Sequence, residues 1–166
     1  LTEACLPEGF TIIPLPGHFF NMVGFHTPDD VVYLADCLSS KETLDKYQIG
    51  FIYDVAAYLE TLDTIKNLSA RLFVPAHAAA SEEIAPLAQY NINKVMEIAE
   101  KILDICREPS CFEAISQKLF TDYDLKMNFE QYVLVGSTVR SYLAWLKDTG
   151  RLNVLFEHNM LLWQRA

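Results

Sequence analysis

Apolar and polar positions follow two periods along the chain, and the first half opens with short apolar runs. Phe10–Leu15 reads as a short buried strand, and Pro16-Gly17 after it as a turn. Phe20–Phe25, apolar apart from Asn21 and Gly24, predicts a second strand. Thr27-Pro28-Asp29-Asp30 is a hairpin turn, and Val31–Ala35 is the returning strand. The period then changes. Ser39-Ser40-Lys41-Glu42 has the form of a capping box, with Ser39 as cap, and predicts a short helix ending near Tyr47. Asp54 is placed to cap the next helix. There Val55, Tyr58, Leu59, Leu62 and Ile65 form one apolar stripe. Arg71–Val74 is a strand that Pro75 should end. Strands followed by an αβ segment predict a layered sheet-and-helix body.

The second half is helical. After Ser81, the positions Ile92, Val95, Met96, Ala99, Ile102, Leu103 and Cys106 keep a helical period until Pro109. Ser110-Cys111-Phe112-Glu113 is a second capping box, opening a helix to about Phe120. Asn128 is a good N-cap with Gln131 three residues on, and Phe129, Tyr132, Val133, Gly136, Val139, Tyr142, Leu143 and Leu146 continue as a stripe until Thr149-Gly150. Leu152–Phe156 and Met160–Trp163 flank Glu157-His158-Asn159 as a tight hairpin. Helix, helix, helix, hairpin is the order of a winged helix. The expected division is residues 1–85 and 86–166, with the boundary inside or before the long helix.

Composition changes this picture little. The chain has 166 residues, of which 51% are hydrophobic, enough for one domain or two small ones. Its net charge of −9 disfavours non-specific nucleic-acid binding, which draws on a basic face. Cys5, Cys37, Cys106 and Cys111 form no C-x-x-C pair, so reduced thiols in a cytoplasmic protein are expected. No apolar run approaches the roughly 20 residues of a membrane span. The first residue is Leu1 and no signal peptide is visible, so a processed chain or, in preference, a piece of a longer one is expected.

The candidate chemistry lies where apolar runs give way to turns: His18 after Pro16-Gly17, Asp36 after Val31–Leu34, and His77 after Leu72–Val74. Singly, each has a plain explanation. A histidine after a turn is usually exposed or hydrogen-bonded, and Asp36 could be a cap. Together they form a plausible ligand set, because imidazole and carboxylate suit a borderline divalent ion such as zinc. Small neighbours, Gly17, Ala35, Ala76 and Ala78, leave room for one. His26, His158 and Cys37 are expected to be, respectively, a strand residue, an exposed turn residue and an inert thiol. Tyr47 and Tyr53 are expected in the core. The helix Phe129–Lys147 carries only Arg140 and Lys147 as bases, a poor phosphate-binding surface.

Pro16-Gly17-His18, Gly24, Tyr33-Leu34-Ala35-Asp36-Cys37 and Phe73-Val74-Pro75-Ala76-His77, with the three candidates 18 and 41 residues apart, resemble the last three metal-binding motifs of the metallo-β-lactamase superfamily. The tail resembles the C-terminal domain of one hydrolase branch. The resemblance implies an α+β chain: half of an αβ/βα sandwich followed by a mostly helical, winged-helix-like domain. It implies a dinuclear site holding divalent metal, zinc first, with two ions per intact site. Asp36 would be the bridging and catalytic residue, and His18 and His77 would each complete one metal. A metal-bound hydroxide would then attack an ester, thioester, amide or phosphodiester of a small molecule. The family's H-x-H-x-D-H motif is absent and is expected upstream of residue 1. The isolated chain is therefore expected to bind metal weakly or not at all, to be inactive, and to dimerise or associate through the open face of the half-sandwich. The rival readings are a non-enzymatic interaction module acting through the tail and, more weakly, an RNA-processing nuclease of the same superfamily.

Overall fold

A computed structural model describes residues 5–166. Three antiparallel strands come first: β1 (Thr11–Pro14), β2 (Val23–His26) and β3 (Val31–Ser39). Helices α1 (Lys41–Tyr47) and α2 (Val55–Lys66) then cross over to β4 (Leu72–His77), which lies parallel to β3, so the sheet order is β1-β2-β3-β4. The tail is α3 (Ala85–Ile105), α4 (Phe112–Asp122), α5 (Phe129–Asp148) and the hairpin β5 (Leu152–Glu157) and β6 (Met160–Arg165). The predicted order of helix, helix, helix, hairpin is the observed one. Ser110 joins the hairpin through a two-way backbone bridge to Trp163.

The helix stripes place the core. Val55, Tyr58, Leu62 and Ile65 of α2 and Val95, Ile98, Ala99 and Ile102 of α3 are buried, and the two helices pack on each other and on β3. The hydrophobic cluster is continuous across residue 85. It runs from Leu15 and Leu34 through α2 and α3 to Leu119, Val139 and Leu143. The opposite sheet face carries Phe25, Tyr33 and Val74 in one register row, and they line an open groove with Tyr33 exposed.

Several local expectations are corrected. Ser40, not Ser39, caps α1: its hydroxyl accepts from the Thr43 N–H at 3.1 Å. Ser39 is instead the last residue of β3, held by Asn91. Ser110 does not cap α4, whose N-cap Cys111 makes no side-chain cap bond. The strand Phe20–Phe25 begins only at Val23, leaving Phe19 and Phe20 exposed in the preceding turn. Tyr47 and Tyr53 are likewise exposed, not core. Asp54 and Asn128 cap α2 and α5 as expected.

Asn91 ties the sheet to the helices. It is 1% exposed. Its Oδ1 accepts from the Ser39 N–H at 3.0 Å, and its Nδ2 donates to the carbonyls of Ser39 at 3.0 Å and Leu87 at 2.9 Å. Asn91→Ala strands buried backbone groups at the end of β3. It is expected to cost about 2–3 kcal/mol in urea unfolding, more than an average substitution.

Candidate metal centre

Each of the three candidate residues is aimed by a local backbone device. His18 follows Gly17, whose φ of 120° favours glycine. The Gly17 carbonyl accepts from the N–H groups of both Tyr53 and Asp54 at 3.0 Å, and the Pro16 carbonyl accepts from the Thr61 hydroxyl at 2.6 Å. The turn before His18 is therefore fastened to the start and flank of α2.

Asp36 does not end its strand, as its position after an apolar run suggested. It sits inside β3 at an irregularity. Ala35 pairs with Pro75 and Ser39 with His77, so β3 spends four residues where β4 spends two. Pro75 has no N–H to donate to the ladder, and Ala35 takes a φ of 47°. Bulges of this kind re-aim side chains next to functional sites. Pro75 therefore does not stop β4, contrary to expectation; it loosens the pairing beside Asp36 and lets the strand run on to His77. The Ser40 N–H closes the end of the pair by donating to the His77 carbonyl at 2.9 Å.

The result is convergence. His77 Nε2 lies 3.4 Å from Asp36 Oδ1, and both side chains are about half exposed. His18 is half-buried nearby. It stands edge-on to Phe51, with ring centroids 5.4 Å apart, and hydrogen-bonds to the Phe51 backbone. Burial lowers the pKa of His18 below its ordinary value. The charge of Asp36 and the Phe51 hydrogen bond oppose that shift, and His77 adds to it. A neutral imidazole, oriented by a backbone carbonyl on its other nitrogen, is the form that ligates metal. Among the described residues, no group of three or more His, Cys, Asp and Glu side chains forms a complete metal-holding cluster. The donor chemistry fits a divalent metal as a partial set.

The depressed pKa of His18 has a stability consequence. Below pH 6.5 the unfolded chain takes up a proton on this residue that the folded chain resists. The contribution of His18 is thus present above pH 6.5 and is lost as pH falls through the lower folded value. Unfolding midpoints measured from pH 7.5 to 5 are expected to fall, and His18→Gln is expected to flatten part of that slope.

The remaining candidates separate cleanly. His26 is taken by Asp30, with Nε2 2.8 Å from Oδ1. His158 sits in the β5–β6 turn with a φ of 49°. Burial pushes the Cys37 thiol up to about 12, which keeps it protonated and inert. Phe51, Asn91 and Lys94, which sequence reasoning did not single out, and Tyr142, expected only as part of the α5 stripe, line the same cavity as His18 and Asp36. The available signal was Asn91 itself, a polar residue among the buried positions Ala88, Val95 and Ile98 of one helix face.

No family model and no curated protein sequence matches the chain. Among solved structures, it is similar to a metallo-β-lactamase family protein from Thermus thermophilus, with a TM-score of 0.70 and 16% identity over 97% of this chain and 54% of that one. It is also similar to a β-lactamase domain protein from Burkholderia ambifaria, with a TM-score of 0.77 and 16% identity over 97% of this chain and 52% of that one. The chain thus has a metallo-β-lactamase fold and spans about half the length of the solved structures it matches. Among the described residues no helix is long and apolar enough to cross a membrane.

Proposed function

We propose that the chain carries half of the active site of a metal-dependent hydrolase. His18 and His77 each serve one divalent ion, zinc first, and Asp36 lies between them. The observation that carries this reading is the approach of Asp36 to His77 at 3.4 Å with a neutral, backbone-oriented His18 alongside. Two strands and a turn deliver the three residues to one place in a fold shared with metallo-β-lactamase structures. The metal, when bound, supplies Lewis acidity and lowers the pKa of water from 15.7 toward about 7. Within that site Asp36 orients the attacking water. The Phe51 contacts hold the His18 ring. Phe19, Phe20 and Tyr53, mutually stacked and exposed next to His18, form an apolar wall for a small-molecule ester, thioester, amide or phosphodiester. The open sheet face of Phe25, Tyr33 and Val74 is covered by the other half of the sandwich or by a second copy of the chain.

Elemental analysis tests this reading, comparing this chain with a longer one that includes an H-x-H-x-D-H half. Little metal in the chain alone and a pair of ions in the longer protein is the expected result. Metal in neither would sink the hydrolase. That outcome would favour a second reading, a non-enzymatic interaction module, supported by the tail residue Phe129 at 79% exposure with Val133 and Leu134 half exposed beside it. A nuclease role is less favoured. The net charge of −9 and the few cations of α5, Arg140 and Lys147, make a poor phosphate-binding surface.

A further inference from the structure

The cavity that begins at His18 and Asp36 continues inward to the junction of α2, α3 and α5 and has a volume of about 50 Å³. Its inner wall holds polar groups beyond the proposed metal ligands: Tyr58, Lys94 and Tyr142. Tyr142 is fully buried, and its hydroxyl has no hydrogen-bond partner among the described residues. A phenylalanine would fill the same space without stranding a donor, so the hydroxyl calls for an occupant. Tyr58 is also buried, and its hydroxyl reaches Asn91 Oδ1 only at 3.5 Å. That oxygen already accepts from the Ser39 N–H at 3.0 Å.

Lys94 completes the wall. Its side chain is 10% exposed, while its acidic partner Glu97, 3.2 Å away, is 47% exposed. Glu97 also accepts from the Tyr123 hydroxyl at 2.9 Å. The ammonium also donates to the amide oxygen of Gln48 at 2.6 Å and lies over the Tyr123 ring, 5.0 Å from its centroid. The positive charge is thus the more deeply buried member of its pair, while its counter-charge is shared and partly screened by water. Burial raises the pKa of the phenols of Tyr58 and Tyr142, so both keep their protons and remain donors at neutral pH.

Two phenols and one ammonium therefore line one small space. The group that satisfies such a wall is rich in acceptors and carries negative charge. An ionised carboxylate offers acceptors alone, and a cavity of this size holds only a few non-hydrogen atoms. We propose that this cavity binds the carboxylate group of a small molecule, seated between Lys94 and Tyr142 beside the His18–Asp36 pair. That the molecule is the substrate rests on the proposed hydrolase function. In that case the carboxylate anchors it and restricts the site to acid-bearing esters, thioesters or amides.

Acetate titrated into the metal-free chain, followed through the ring signals of its tyrosines by NMR, is the test. Saturable shifts of Tyr58 and Tyr142 are expected, with a Kd on the order of 1–10 mM. The neutral isostere acetamide is expected to leave them unmoved. Tyr142→Phe and Lys94→Met are each expected to weaken acetate binding about tenfold or more. Tyr142→Phe preserves the packing, so its readout does not depend on how well the lysine variant folds. No shift with acetate, an equal response to acetamide, or undiminished binding in both variants would overturn the proposal. The protein is metal-free throughout, so the result is independent of the metal reading. Acetate binding in a protein that never takes up metal would keep the pocket and remove only the hydrolase.

Discussion

Gly17→Ala is expected to remove about 3–5 kcal/mol of stability and to misplace His18 as it does so. Two separate penalties coincide at this residue. Its φ of 120° lies where a side chain is strained whatever the space around it, and an added Cβ would lie 2.7 Å from Tyr58 Cβ and closer still to the Tyr58 backbone. That backbone belongs to the first turn of α2 and cannot yield like the tip of a long side chain. Moving Gly17 away also breaks its carbonyl's bonds to the Tyr53 and Asp54 N–H groups, which fasten the helix start. Gly50→Ala is the matched control: it lies in the neighbouring loop, and a Cβ there meets nothing within 4 Å. Urea unfolding should show a large drop in midpoint for the first variant and a change within about 1 kcal/mol for the second. Equal midpoints would mean that the Pro16-Gly17 turn is not anchored on α2.

The contrast between Gly17 and Asp36 shows what could be read in advance. The Pro16-Gly17 signal before His18, the Asp54 cap and the stripe of α2 are local patterns, and each appears in the fold as a turn, a cap and a buried face. The aim of Asp36 was not local. It depends on Pro75, about forty residues on, lacking an N–H at the point where the strands pair; the sequence showed that proline only as a strand end. Ser39 was misjudged as a cap for the same reason. Its place is decided by Asn91 across the junction, and Ser40 takes over the cap one residue later. Tyr47 and Tyr53 were expected in the core, but Tyr47 ends the short helix α1 and Tyr53 lies in the loop before α2, and both are exposed. Lys94 and Tyr142 carried no motif. Their meaning comes from sharing a cavity wall, which only the packing of α2, α3 and α5 creates.

Asp36→Ala, made in a longer protein that completes the ligand set, is expected to lower hydrolysis about 10³-fold or more while leaving the fold in place. The two halves of that expectation have different sources. The fold survives because the Asp36 side chain is 45% exposed and its ion pair with His77 is a half-exposed contact at 3.4 Å. Pairs of that kind contribute about 0–1 kcal/mol. On the proposed function activity falls because the carboxylate, 3.4 Å from His77, is the shared ligand of the site. Asp36→Asn separates shape from charge: it keeps the side-chain volume and loses the anion, so it should lose metal and activity nearly as fully as alanine. The measurements are kcat/KM on a panel of activated esters and thioesters, metal by elemental analysis, and Tm on the same preparations. A variant that keeps its metal and its rate would remove Asp36 from the site. A variant that unfolds would show that the bulge at Ala35 depends on the very carboxylate it presents. Loss of metal and rate with an unchanged Tm is the outcome expected on the proposed function. The bulge, the proline opposite it and the closure at Ser40 are backbone features that remain after the side chain is gone.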